Sequence, residues 1–130
     1  MADLLVCNPA YFNIDYEINP WMNVGNDIDS SLASIQWERM CANLTLVGAN
    51  LKYIEPMYGY PDMVFTANAG LVYGKTVILS NFKHAERRGE KTFFKDWFLK
   101  NGYRVVELPD SLCFEGEGDA LFFEGTLFMG

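Results

Sequence analysis

The stretch LVYGKTVIL, residues 71–79, returns 50 positions further along the chain as LFFEGTLFM, residues 121–129. Each copy has two short runs rich in β-branched and aromatic residues around a turn that contains glycine, which is typical of a β-hairpin. A Pro-Asp pair precedes each copy, first as Pro61-Asp62 and then as Pro109-Asp110. The sequence therefore contains a repeated unit of about 50 residues.

The segments around the hairpins predict helices and further strands. DLLVCNP, KYIEPM and YRVVELP are strand-like. A first helix is expected from about Ser31 to Asn50, with Ser30 as its N-terminal cap, and a second over residues 85–100. Apolar side chains recur at near-helical spacing in both: Leu32, Ile35, Met40, Leu44 and Val47 in the first, and Phe93, Phe94, Trp97 and Phe98 in the second.

The order helix, strand, Pro-Asp pair and hairpin occurs twice, which predicts an α/β fold with radial repetition. We expect the repeats to cover residues 1–80 and 81–130 approximately. Repeat folds generally need three or more units to bury their apolar faces, and just over two are present. We therefore expect the chain to be part of a larger fold or to complete itself by self-association, with its last strand as an exposed edge.

Composition excludes several classes of function. Half of the residues are hydrophobic, so the chain can build a core and is not disordered. The net charge of −7 argues against nucleic acid or an anionic membrane as the main partner. No apolar run approaches the ~18 residues that span a bilayer, and the first residues lack the features of a secretory signal. We expect a cytoplasmic protein.

The three cysteines, Cys7, Cys41 and Cys113, are widely spaced and lie in apolar contexts. This pattern favours buried free thiols in a reducing compartment. No Cys-x-x-Cys pair is present, and His84 is the single histidine, so no zinc-binding spacing exists.

The segment FEGEGD, residues 114–119, places three acids within an otherwise apolar stretch. On an extended chain Glu115, Glu117 and Asp119 share one face, because alternate side chains point the same way. Like charges on one face repel and resist desolvation, so a compensating partner is needed. From spacing alone, three interpretations stay open: a guanidinium or amine ligand, a divalent metal, and solvent-exposed acids with a structural role.

Equivalent positions of a radial repeat point toward the same axis. Asp62 and Asn68 follow the first Pro-Asp turn, and Glu115 and Asp119 follow the second. We therefore expect these four side chains to line one central cavity. Acids and an amide suit a cation with many N–H donors, and a guanidinium fits that description.

Two other segments carry unusual polar residues. Arg87 and Arg88 lie in the first turn of the second helix, where cations are disfavoured, so either a nearby anion or pairing with Glu86 and Glu90 is expected. Asn19 lies in a long aromatic loop, which acts as a lid or is anchored on the core by its apolar residues.

Four motifs in this order resemble the N-terminal half of the guanidine-modifying superfamily: CNPAYFNIDYEINPWM, PDMVFTANAG, HAERRGE and FEGEGDALF. That superfamily includes arginine deiminases, dimethylarginine dimethylaminohydrolases, arginine dihydrolases and amidinotransferases. The resemblance covers essentially the whole chain. It implies the pentein fold, an α/β-propeller of five ββαβ units, of which about two to two-and-a-half are expected here.

The resemblance also implies roles for individual residues. Glu115 matches the carboxylate that orients a catalytic histidine and grips the guanidinium, with Glu117 as the second choice, and Asp119 matches the closing aspartate of that motif. FTAN stands where deiminases have FTRD, so Asn68 takes the place of a guanidinium-binding aspartate. In this the chain looks like the arginine dihydrolase branch, which is also similar in its NPWM loop.

The remaining roles concern the rest of the substrate. Asp62 matches an aspartate that binds the polar end of the substrate, and Asn19 would reach the substrate from the lid. Arg87, in an RxxE arrangement with Glu90, matches an arginine that holds the substrate carboxylate, and Arg88 is the second choice.

The chemistry implied by the resemblance is nucleophilic. A cysteine attacks the guanidinium carbon, a histidine transfers protons, and a covalent intermediate is hydrolysed. In the family these two residues lie in later repeats, so we expect this chain alone to bind an arginine-like molecule poorly, to be inactive, and to need a complementing C-terminal half. No cofactor or metal is expected. The alternatives are an amidinotransferase or dimethylarginine hydrolase on the same scaffold, and a binding or assembly module without catalysis.

Overall fold

The computed structural model describes residues 2–130 and has a mixed α/β fold. Three helices and seven strands follow one another in this order: β1 (Asp3–Cys7), α1 (Ser30–Leu46), β2 (Asn50–Ile54), β3 (Gly70–Tyr73), β4 (Thr76–Leu79), α2 (Ala85–Arg88), α3 (Glu90–Lys100), β5 (Arg104–Val106), β6 (Ala120–Phe123) and β7 (Thr126–Met129). Short 3₁₀ turns lie at Pro9–Tyr11, Pro61–Val64, Thr66–Ala69 and Gly116–Gly118.

The chain divides into two compact units, one up to Thr66 and one from Ala67 to Gly130. The predicted repeats instead meet near residue 80. A division by packing and a division by repetition need not coincide, since neighbouring repeats can share a sheet. The number of propeller repeats therefore stays a prediction.

In the first unit, β1 pairs with β2 in parallel, with Leu5 opposite Lys52. The connection between these strands contains α1, as parallel pairing requires a long crossover. The carboxylate of Asp29 accepts a hydrogen bond from the backbone N–H of Leu32 at 2.9 Å, which caps α1. The prediction that Ser30 caps this helix is wrong, because Asp29 fills that role and Ser30 is the first helical residue.

The apolar residues of α1 are less buried than their spacing predicts. Cys41 is its only buried residue, whereas Leu32, Ile35 and Met40 are each more than 40 % exposed and Val47 is 81 % exposed. Helical spacing identified the helix, but its predicted end near Asn50 is wrong, because α1 ends at Leu46 and Asn50 begins β2. The spacing also did not predict how much of the helix surface is covered in this chain.

In the second unit, β3, β4 and β5 form one sheet, with β3 antiparallel and β5 parallel to β4. The predicted repeat is confirmed at the level of the hairpins. Gly70 pairs with Leu79 in the first hairpin, and Ala120 pairs with Met129 in the second, so the register is conserved at the offset of 50 positions.

The second predicted helix is interrupted. Residues 85–100 form two helices, α2 and α3, that are separated by Gly89. Phe94 and Phe98 of α3 are buried as predicted, and the ring of Phe98 packs edge-on against Tyr103. Phe94 and Phe98 lie four positions apart and therefore on one side of the helix.

The hairpin β6–β7 forms a separate two-stranded sheet whose large side chains are largely exposed. Phe123, Phe128 and Met129 are each more than half exposed. An exposed apolar face of this kind is typical of an interaction surface. Self-association through it stays a prediction. Among residues 2–130 no helix is long and apolar enough to cross a membrane.

The cysteines are all free, but they are not all buried. Cys7 and Cys41 are buried, and burial raises the pKa of the Cys41 thiol. Cys113 is exposed, so the prediction of three buried thiols is wrong at this position. The reason is that Cys113 belongs to the turn-rich segment between β5 and β6, where the preceding residues Ser111 and Leu112 are also exposed.

Candidate functional site

The acidic segment of the second unit is a turn. Glu115 leaves the extended conformation, Gly116 has φ of 61°, and Gly116–Gly118 form a 3₁₀ turn. The segment is therefore not extended, and the three carboxylates do not share one face. Positive φ at Gly116 reverses the chain, which only glycine allows at low cost.

The turn separates the three acids into different environments. Glu117 is exposed, whereas Glu115 and Asp119 are half-buried. The Asp119 carboxylate accepts a hydrogen bond from the backbone N–H of Glu115 at 2.6 Å. Like-charge repulsion is thus relieved by geometry, since one carboxylate is turned to a backbone donor.

Glu115 has its own backbone partner. Its Oε1 accepts a hydrogen bond from the backbone N–H of Lys83 at 3.3 Å. Within residues 2–130, the other carboxylate oxygen of Glu115 has no hydrogen-bond partner. A carboxylate held by one oxygen can still accept a donor on the other.

Asn68 connects the turn at Gly116–Gly118 to Arg87 of α2. Its Nδ2 donates to the backbone carbonyl of Glu115 at 3.3 Å, and its Oδ1 accepts from Nη1 of Arg87 at 3.0 Å. The backbone approaches closely here, because a Cβ on Gly118 would lie 2.9 Å from Nδ2 of Asn68. The second glycine of the motif therefore makes room for the amide.

Arg87 and Glu90 form a buried ion pair. Nε of Arg87 donates to Oε1 of Glu90 at 3.0 Å, and Nη2 donates to Oε2 at 2.8 Å. Both side chains are almost completely shielded from solvent, and the guanidinium lies 4.5 Å from the ring centroid of Phe82. Two parallel hydrogen bonds fix the guanidinium plane. Pairing with Glu90 was predicted for the surface, but the pair is in the interior.

Arg88 differs from Arg87 in its exposure to solvent and in its hydrogen-bond partners. It is exposed, and its guanidinium donates to the backbone carbonyls of Phe82 and Lys83. It therefore fastens the segment before α2. Its alternative role as the holder of a substrate carboxylate is not supported by any contact of this side chain with Asn68, Glu115 or Asp119 among the described residues.

Asp62 and Asn19 lie in the first unit. Asp62 is buried and accepts a hydrogen bond from the hydroxyl of Tyr16 at 2.8 Å. Asn19 is exposed, and its Oδ1 accepts from the backbone N–H groups of Trp21 and Met22. Asn19 thus shapes its own turn, and Trp21, at 87 % exposure, is not anchored on the core.

Four of the six predicted site residues, Asn68, Arg87, Glu115 and Asp119, lie in one hydrogen-bonded cluster of the second unit. Phe82 and Lys83 were not predicted from the sequence as site residues, although both lie just before α2. The ring of Phe82 contacts Arg87, and the backbone N–H of Lys83 donates to Glu115. Within residues 2–130 no three His, Cys, Asp or Glu side chains are grouped closely enough to hold a metal ion.

Comparison with known proteins identifies the family. The profile of the eukaryotic N,N dimethylarginine dimethylhydrolases matches residues 5–129, which is nearly the whole chain. The chain belongs to this family. The resemblance to the guanidine-modifying superfamily that was inferred from four motifs is thereby confirmed.

Relatives of this dimethylarginine dimethylhydrolase-like chain include enzymes with two different names. The chain is 50 % identical over 127 residues to the bifunctional arginine dihydrolase/ornithine cyclodeaminase ArgZ of Synechocystis, covering 94 % of this chain and 18 % of ArgZ. It is 38 % identical over 122 residues to the N(G),N(G)-dimethylarginine dimethylaminohydrolase of Mycobacterium tuberculosis, covering 94 % of this chain and 40 % of that enzyme.

A solved structure of the N-terminal domain of ArgZ, described as an arginine dihydrolase bound to substrate, is also similar. It superposes with a TM-score of 0.87 at 48 % identity over 92 % of this chain and 44 % of that one. The dimethylarginine dimethylhydrolase-like chain spans less than half the length of the curated relatives that it matches.

Proposed function

We propose that this chain forms part of a hydrolase that cleaves C–N bonds in the guanidino group of arginine or a close analogue. The single observation that carries the proposal is the pair of hydrogen bonds made by the Asn68 amide. Its amide oxygen accepts from Arg87, and its amide nitrogen donates to the backbone of Glu115. One side chain thus links the turn that carries Glu115 and Asp119 to the guanidinium of Arg87.

The charges in this cluster suit a zwitterionic amino acid with a cationic end. Glu115 and Asp119 are assigned as acceptors for guanidinium N–H groups, and the second oxygen of Glu115 is assigned to a histidine that it would orient. Arg87 is assigned to the substrate carboxylate. Because Glu90 already neutralises Arg87 and fixes its plane, the arginine would present its remaining donors in one orientation and would not act as a mobile charge.

The family resemblance assigns two further contacts, to residues that belong to the first unit. Asp62 is assigned to the polar end of the substrate, and its hydrogen bond to Tyr16 would hold its carboxylate in one orientation. Asn19 is assigned to the lid. The exposed Trp21 two residues later supports a loop that can change its packing when a ligand arrives.

An N-methylated arginine is the second candidate substrate. The family profile and the relative from Mycobacterium tuberculosis both carry dimethylarginine in their names. Arginine itself is favoured because ArgZ, with 50 % identity, is named an arginine dihydrolase. Asn68 also supports arginine as the substrate, since the resemblance to the arginine dihydrolase branch includes an asparagine at this position.

The assay that tests this proposal uses the polypeptide encoded by the whole reading frame that contains these residues. It is incubated in parallel with L-arginine and with dimethylarginine, and ammonia, dimethylamine, citrulline and ornithine are quantified by mass spectrometry. Hydrolysis of one guanidino C–N bond of arginine gives citrulline and ammonia. Hydrolysis of the remaining ureido group gives ornithine, ammonia and carbon dioxide.

We expect arginine to yield ornithine, with dimethylarginine turned over at least about tenfold more slowly. The Arg87→Lys variant is expected to raise KM about tenfold or more, because an ammonium cannot reproduce the planar set of hydrogen bonds to Glu90 and Asn68 that orients this cation. Arg88→Lys is the matched control at the neighbouring position. Release of dimethylamine in preference to ammonia would transfer the proposal to the second substrate, and no product from either compound would refute it.

A further inference from the structure

Asn81 is a buried amide whose hydrogen bonds all lead to one segment. Its Nδ2 lies 3.2 Å from the backbone carbonyl of Leu108, 3.1 Å from that of Pro109 and 3.1 Å from that of Leu112. Only 8 % of this residue is exposed. The two N–H groups of Nδ2 therefore donate to three carbonyls, and one N–H group is shared between two of them. The segment 108–112 thus wraps around a single side chain.

The backbone of Asn81 holds the next residues of the same segment. The N–H of Asn81 donates to the carbonyl of Phe114 at 2.8 Å, and the N–H of Phe114 donates to the carbonyl of Asn81 at 3.0 Å. These two bonds form an isolated antiparallel bridge. Phe114 is itself buried in a core cluster with Leu71 and Ala120. The chain is therefore fixed immediately before Glu115.

The amide oxygen of Asn81 is also occupied, because Nζ of Lys91 donates to it. Lys91 belongs to α3, the helix that begins with Glu90. Every polar group of Asn81 is thus used, and its side-chain and backbone bonds join the end of the first hairpin, α3 and the segment that leads to Glu115. A fully satisfied buried polar network of this kind specifies one arrangement of the chain.

We propose that Asn81 is a positioning residue that sets where Glu115 and Asp119 stand. Within residues 2–130 it makes no hydrogen bond to either of them and acts through the backbone of residues 108–114. This inference rests on the proposed function for its consequence, namely that the affinity for arginine depends on Asn81. The structural part, that Asn81 fixes the conformation of the Glu115 turn, can be measured without any ligand.

The test uses Asn81→Asp, which keeps the shape and an oxygen facing Lys91 but removes both donors to the three carbonyls. Ser80→Ala is the matched control, because Ser80 is adjacent and completely buried, and its hydroxyl has no hydrogen-bond partner within residues 2–130. Val77→Ala, in β4, is the control for lost stability, since Val77 is completely buried and its side chain makes no hydrogen bond.

Two readouts come from ¹⁵N-labelled protein. The first is the amide proton resonance of Glu115, which reports the short hydrogen bond to the Asp119 carboxylate. We expect Asn81→Asp to shift this resonance upfield and to raise the hydrogen exchange rate of residues 114–119 about tenfold or more. The second is titration with L-arginine, in which the dissociation constant is expected to rise about tenfold. Ser80→Ala and Val77→Ala should change neither.

The outcomes separate the two claims. If Asn81→Asp is destabilised like Val77→Ala but keeps the Glu115 resonance of the parent, Asn81 is a merely structural residue and the inference is overturned. If the parent protein gives no response to arginine, the proposed function fails, while the Glu115 resonance still decides the role of Asn81. Should Asn81→Asp not fold, Asn81→Ser, which keeps one donor, is expected to fold and to give an intermediate shift.

Discussion

Replacing Glu90 by glutamine is expected to lower the free energy of unfolding by about 3–5 kcal/mol. Glu90 is completely buried, and its two oxygens accept both parallel hydrogen bonds of Arg87. A glutamine has the same shape but leaves the guanidinium charge uncompensated in the interior and offers one oxygen where two are needed. Denaturation in urea, followed by circular dichroism, measures the change.

Glu86→Gln is the matched control, because Glu86 is an exposed acid of the same short segment. Its effect should stay within about 0.5 kcal/mol. Equal effects of the two substitutions would mean that the Arg87–Glu90 pair does not hold this part of the fold. The Asn68 amide accepts from the same guanidinium, so Glu90→Gln is also expected to shift the side-chain amide resonances of Asn68.

Gly116→Ala is the substitution with the second large expected effect. Gly116 has φ of 61°, and a Cβ there would lie 2.7 Å from the carbonyl oxygen of Ala67 and 2.8 Å from the backbone nitrogen of Gly70. Neither atom belongs to a flexible side chain, so the clash cannot be relieved locally. Positive φ costs about 1–2 kcal/mol and the steric conflict about 1–3 kcal/mol more, so a loss of roughly 3 kcal/mol is expected in chemical denaturation.

Gly125→Ala isolates the backbone contribution. Gly125 also has positive φ, at 79°, but nothing lies within 4 Å of a Cβ at this position. Only the conformational cost of about 1–2 kcal/mol should remain. The account of the tight approach at Gly116 is untenable if the two alanine variants unfold at the same denaturant concentration.

The hairpins and their offset were readable from the sequence, because alternating β-formers around a glycine turn are a local signal. The match of Gly70 with Ala120 and of Leu79 with Met129 follows from it. Burial along α1 was not readable. Helical spacing shows which side chains share a face, but exposure depends on which other elements cover that face.

The acidic turn was predicted wrongly for a physical reason. Alternating acids and glycines fit an extended strand as well as a turn, since glycine adopts both signs of φ. The decisive facts are the crowding of Gly116 by Ala67 and Gly70 and the bond from Glu115 N–H to Asp119, which are tertiary or depend on the turn itself.

The contact between Arg87 and Glu90 was predictable from the sequence, but the burial of this pair was not. The three-residue spacing of Arg87 and Glu90 predicted their contact, because residues at i and i+3 are neighbours on a helix. Their burial depends on Phe82 and Asn68, which come from other elements. The repeat and the four motifs predicted which residues form the candidate site, but the contacts through Asn68 and Asn81 came only from the fold.

We propose that Asn68, Glu115 and Asp119 form a site in this chain that is selective for a guanidinium group. Isothermal titration of the 130-residue protein with L-arginine and with L-citrulline tests it most directly, because the two ligands differ in the charge of the terminal group. We expect saturable arginine binding with a dissociation constant on the order of 1 mM, and at least about tenfold weaker binding of citrulline. No heat at millimolar arginine, or equal affinities for the two ligands, would contradict it.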